Sequence, residues 1–173
     1  MIQPVQFGSS GLRVSNICLG TMMFGTQSDF STAQKIADYA LDQGVFFWDT
    51  ADMYGQGVSE EFCGKLMLGR REEIVLATKV FAPMSDNINA RGLSAKHIIR
   101  ACDDSLNRLQ TDYIDLYQLH WPERSTNTFA KRDYSHRKNE RKWNDFESIL
   151  YALNKFIKDG KIRYIGMSNE TPY

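Results

Sequence analysis

Short apolar runs of β-forming residues alternate regularly with amphipathic helical segments along almost the whole chain. The runs fall at residues 17–20, 45–48, 74–78, 113–119 and 162–166, after a β-prone pair at 5–7 and 12–15 joined by the turn-rich GSSG. Between them, residues 31–43 carry Ala33, Ile36, Ala37, Ala40 and Leu41 on one helical face, with Ser31 as the expected N-cap and Gly44 as the stop. Residues 59–68 place Phe62, Leu66 and Met67 together, with Glu60 and Glu61 in the first turn, where the helix dipole favours acids. Residues 94–110 place Ile98, Ile99, Cys102, Leu106 and Leu109 together, and a last helix carries Phe146, Ile149, Leu150, Leu153, Phe156 and Ile157 before Gly160. Strands separated by helices of this length are parallel, because the chain must return to the same end of the sheet before it can pair again. The fold class is therefore α/β. No GxGxxG follows the first strand and no GxxxxGK[ST] occurs, which turns the expectation from a dinucleotide-binding doubly wound sheet toward a β/α barrel.

Charge and cysteine usage narrow the partners. Lys plus Arg (21) balance Asp plus Glu (21), so no net field draws in nucleic acid or an anionic membrane surface. No long apolar stretch suggests a membrane span, and the N-terminus lacks the pattern of a secretory signal. Cys18, Cys63 and Cys102 lie far apart without metal-ligand spacing, so reduced thiols, no metal and a cytoplasmic location are expected. A small-molecule partner fits best.

Three apolar runs lead into an ionisable residue: FFW into Asp49, IVLAT into Lys79 and YIDLYQL into His120. Parallel strands put these ends on one face, where the groups converge although they are distant in sequence. Tyr54, five residues after Asp49, is within reach of the same point. Singly, a lysine or aspartate at a strand end is ordinarily a solvated rim residue, and a histidine followed by Trp121 and Pro122 can be a buried, satisfied imidazole. Their recurrence at successive strand ends carries the functional reading. A tyrosine, with its ordinary pKa of ~10, is a poor acid at neutral pH unless a cation such as Lys79 stabilises its phenolate. Asp49 would hold that lysine, and His120 would hydrogen-bond the substrate oxygen or the tyrosine. Such a group donates a proton to a polarised carbonyl. The accompanying hydride must come from a nicotinamide, since no side chain supplies one.

With these motifs in view, the chain resembles the aldo-keto reductase superfamily from about residue 5 to its end. The matching stretches are LGTMMFG, FFWDTADMYG, LATKV, DYIDLYQLHWP and GKIRYIGMSN, in the family's order. The resemblance implies a (β/α)8 barrel of the TIM type, here spanning an N-terminal β-hairpin and the first five barrel strands as a single partial domain. It implies Asp49, Tyr54, Lys79 and His120 as the catalytic tetrad, with Tyr54 as general acid. Ser168 and Asn169 match the family's nicotinamide contacts, Gly20, Thr21 and Asp49 lie by resemblance near the cofactor, and Trp121 is assigned to the substrate pocket. NADPH is the implied cofactor and an aldehyde or ketone the implied substrate.

The chain's 173 residues fall short of the ~250 of a closed barrel. An arc of five strands has two free edges, so self-association is expected as one way to cover them. The alternative is a truncated, non-catalytic relative that acts as an interaction module or is an inactive product. A basic cluster of Lys131, Arg132, Arg137, Lys138, Arg141 and Lys142 is read as a solvated loop beside the substrate mouth, and Asp112 and Asp115 as local hydrogen-bonding groups.

Overall fold

The computed structural model describes residues 2–124, 133 and 146–170. The basic cluster lies outside the described residues. β1 (Pro4–Gln6) and β2 (Arg13–Ser15) pair antiparallel as the expected hairpin. The alternating unit then follows as β3 (Cys18–Gly20), α1 (Phe30–Asp42), β4 (Phe47–Asp49), α2 (Val58–Met67), β5 (Val75–Val80), α3 (Ala95–Leu109), β6 (Ile114–Leu119), α4 (Phe146–Lys158) and β7 (Ile162–Met167).

β3 to β7 form one sheet whose spatial order is the sequence order, every pair parallel. An order without reversal has no topological switch point and keeps successive helices on one side. Accordingly α1 packs on α2, α2 on α3 and α3 on α4. This is the arc of a β/α barrel rather than a doubly wound sheet.

The core lies between the arc and its helices. Trp48, Leu76, Val80, Ile114, Tyr117 and Ile162 from the strands meet Ala33, Ala37, Cys63, Leu66, Ile98, Cys102, Leu153 and Phe156 from the helices. α1, α3 and α4 each bury a narrower stripe than their periodicity predicts. Ile36, Ile99, Phe146, Leu150 and Ile157 are exposed, and α1 is held down by small residues, Ala33, Ala37 and Ala40. The α1 cap also differs. Asp29, not Ser31, sits at the N-cap and accepts from the Thr32 N–H at 2.8 Å, because its carboxylate lies one turn before the first helical donors. Gly64 explains how closely α2 and α3 approach: a Cβ there would sit 2.6 Å from the Arg108 carbonyl oxygen.

Candidate active site

All four residues of the expected tetrad meet at the C-terminal ends of the strands. Asp49 closes β4, Lys79 is the penultimate residue of β5, His120 follows β6, and Tyr54 opens a 3-10 turn, Tyr54–Gly57, that leads into α2. Lys79 is the hub. Its ammonium donates to Asp49 Oδ2 at 2.5 Å, to the Thr50 carbonyl at 2.9 Å and to Tyr54 Oη at 3.2 Å. These bonds use all three of its protons, so the cation is fixed in place. Because Tyr54 Oη accepts from Lys79, its own O–H is left to point elsewhere.

His120 stands edge-on to Tyr54, ring centroids 5.8 Å apart. It is 7% exposed, and Nδ1 is buried with no hydrogen-bond partner among the described residues. Burial, assisted by the neighbouring Lys79 cation, pushes its pKa down to about 4. The imidazole is therefore neutral at physiological pH and carries one N–H. The Lys79, Tyr54 and His120 groups together can polarise an oxygen and hand it a proton.

The residues expected around this centre are placed as follows. Gly20 ends β3 in register with Asp49, and with Cys18, Phe47, Leu116 and Gln118 it lines a cleft of about 370 Å³ on the concave side of the sheet. Thr21 is fully buried. Its hydroxyl bonds the Asp49 carbonyl and Ser59 Oγ, and its N–H donates to the Asp49 carbonyl at 3.0 Å, so it ties β3 to β4 and α2. Ser168 and Asn169 follow β7 on the same rim. Asn169 has left-handed backbone (φ +57°), and its Nδ2 donates to the His120 carbonyl at 2.8 Å and to Ser168 Oγ at 3.0 Å. Trp121 is half-buried directly after His120.

Three groups escape the sequence reading. Glu60, taken as a first-turn acid, is fully buried: it accepts from Thr78 Oγ1 at 2.5 Å and from Arg108 Nε at 2.7 Å, linking α2, β5 and α3 behind the site. Asp52, two residues before Tyr54, is also fully buried, with neither carboxylate oxygen bonded among the described residues. The Met53 and Phe81 N–H groups pull its pKa down without making ordinary hydrogen bonds. Burial, reinforced by the Glu60 charge, wins and raises it to about 7. Gln118 donates from Nε2 to Asp49 Oδ1 at 3.0 Å. Asp115 behaves as read from sequence, accepting from the Leu76 N–H and pairing with Arg71 at 2.8 Å.

An open parallel arc with a Lys–Tyr–His–Asp group on its C-terminal rim defines a β/α-barrel protein. The chain belongs to the aldo/keto reductase family, whose model matches residues 16–173. It is 42% identical to "Protein tas" of Escherichia coli (strain K12) over 95% of this chain and 51% of that protein. It is 43% identical to the uncharacterized oxidoreductase YrpG of Bacillus subtilis (strain 168), over 94% of this chain and 48% of the relative. Its structure superposes with a TM-score of 0.80 on an aldo-keto reductase of Bacillus halodurans solved in its holo form, at 37% identity, covering 99% of this chain and 52% of that one. The chain thus spans about half the length of the curated relatives it matches.

Proposed function

We propose that the site reduces the carbonyl of an aldehyde or ketone to an alcohol, with Tyr54 as general acid and NADPH as hydride donor. The observation that carries this is the direction of the Lys79–Tyr54 hydrogen bond: the lysine donates, so the phenol proton is free for a substrate oxygen. When bound, the nicotinamide would supply the hydride to the carbonyl carbon. As the oxygen gains negative charge, Tyr54 releases its proton to it, and the Lys79 ammonium stabilises the charge left on Oη. Asp49 keeps the ammonium aimed, and neutral His120 offers its N–H to the substrate oxygen.

The chain's own groups fit a nicotinamide. Its carboxamide needs polar partners at the rim, where Ser168 and Asn169 follow the strand next to His120, and the orphaned His120 Nδ1 is a polar atom awaiting one. Gly20, at the mouth of the cleft, adds no side chain against which a flat ring would collide. Trp121 belongs in this proposal to the substrate side, and a cytoplasmic location to the whole, consistent with three free thiols. Among the described residues no helix is long and apolar enough to cross a membrane.

The test is titration of the purified chain with NADPH, followed by aldehyde-dependent oxidation of the cofactor. Saturable binding with turnover is expected, and Tyr54→Phe should lower kcat about 10³-fold while binding NADPH as before. Equal turnover in that variant refutes the role of Tyr54. β3 and β7 are the terminal strands of the sheet, which favours self-association as a further part of this proposal, read out as mass by sedimentation.

A further inference from the structure

We infer that Gln118 is a positioning residue that locks the Asp49 carboxylate onto Lys79, and that Gly166 exists to leave it room; this rests on the proposed role of Tyr54. Asp49 has two carboxylate oxygens and a partly exposed side chain, so nothing intrinsic stops it from rotating toward water. The structure ties each oxygen to a different strand: Oδ2 to Lys79 of β5 and Oδ1 to Gln118 of β6. With both oxygens held, the carboxylate plane cannot turn.

The reach of Gln118 is specific. Asp49 pairs with Ala77, and Lys79 pairs with Gln118, so the amide must cross β5 to arrive at β4. A long side chain is needed, and Ala77 ends in a methyl that leaves the path open. The amide's orientation is dictated by chemistry, since a carboxylate only accepts and the –NH2 end must face it. On the other flank Gln118 pairs with Gly166 of β7. A Cβ at Gly166 would lie 3.0 Å from Gln118 Cγ and 3.2 Å from Leu116 Cδ1. Any larger residue therefore presses on the stem of Gln118. A line of contacts runs from Gly166 through Gln118, Asp49 and Lys79 to Tyr54.

The experiment compares the wild-type chain with Gln118→Leu, Gln118→Glu, Gln118→Ala, Gly166→Ala and the double variant Gln118→Ala/Gly166→Ala. Native folding is checked for each by circular dichroism and melting. The first readout is isotope-edited NMR of lysine ammonium groups, where Lys79→Arg identifies the Lys79 signal. We expect one slowly exchanging ammonium in the wild type. Its exchange should be about tenfold faster in Gln118→Leu, and faster still in Gln118→Glu, where like charge faces Asp49. Gly166→Ala should act only while Gln118 is present, so its effect should vanish in the Gln118→Ala background. An unprotected Lys79 in the wild type, unchanged exchange in a folded Gln118→Leu, or additive effects in the double variant overturns the inference. The double-variant comparison retains its force if Gln118→Leu fails to fold. The second readout is turnover: kcat should fall about tenfold in Gln118→Leu. Absence of turnover in the wild type would refute the proposed function without touching the NMR result, so the two failures are distinguishable.

Discussion

Thr78 and Lys79 are neighbours on β5 that point to opposite faces of the sheet, and each meets an ion pair. Thr78 bonds Glu60, which Arg108 neutralises inside the helix layer. Lys79 bonds Asp49 on the concave side. The two pairs are alike in chemistry and differ in what surrounds them. Glu60 is fully enclosed, with each oxygen taking a partner from a different element. The Lys79 cluster has a Tyr54 hydroxyl that accepts from Lys79 and a buried His120 Nδ1 with no hydrogen-bond partner among the described residues. A buried charge whose every bond is made internally holds elements together; one that leaves valence at its edge can act on a guest.

The sharpest break in this contrast is Lys79→Met. On the proposed function it should cut kcat by about 10³-fold while circular dichroism remains native. Glu60→Ala should do the reverse. It strands the Arg108 guanidinium and the Thr78 hydroxyl, so urea unfolding should show a loss of about 3 kcal/mol, with cofactor binding by the folded fraction preserved. Equal stability loss in both variants would erase the distinction.

A smaller effect separates the two faces by pH. Asp52, beside Glu60 and Arg108, has its folded pKa raised to about 7, above its unfolded value. Between about pH 4 and 7 the unfolded chain has lost that proton and the native chain keeps it, so stability falls as pH rises. His120, lowered to about 4, works the other way: between about pH 4 and 6.5 the unfolded chain holds the extra proton, so stability rises with pH. Asp52→Asn should therefore remove a falling slope, and His120→Gln a rising one, each by about 1 kcal/mol per pH unit. Urea midpoints measured at several pH values check both signs.

The convergence of Asp49, Lys79 and His120 is legible because polarity at the end of an apolar run is a local signal. FFW before Asp49 and IVLAT before Lys79 show it in four or five residues, and strand parallelism supplies the convergence. The helix-layer network was not legible. Glu60 meets an arginine 48 positions later, and nothing near either residue distinguishes a buried acid from an exposed first-turn one. Gln118 did leave a trace, as the single amide within YIDLYQL, but its partner lies two strands away and only register reveals it. The helical stripes are narrower than periodicity predicts for a different reason. Periodicity marks which residues share a face; it does not say how much of that face the sheet covers, and Ile36, Ile99 and Leu150 lie beyond the covered part.

The sequential order of the sheet also bears on how the chain acquires its structure. Each strand from β4 onward pairs with the one synthesised before it, so a nascent chain emerging at ~5–20 residues per second always meets a finished edge waiting for the next segment. Among the described strands, none must wait for a later one to be inserted between neighbours. The arc can grow vectorially, and the Lys79 hub gathers its partners in the order of synthesis: Asp49 and Tyr54 first, then Gln118 and His120, with the β7 rim after them.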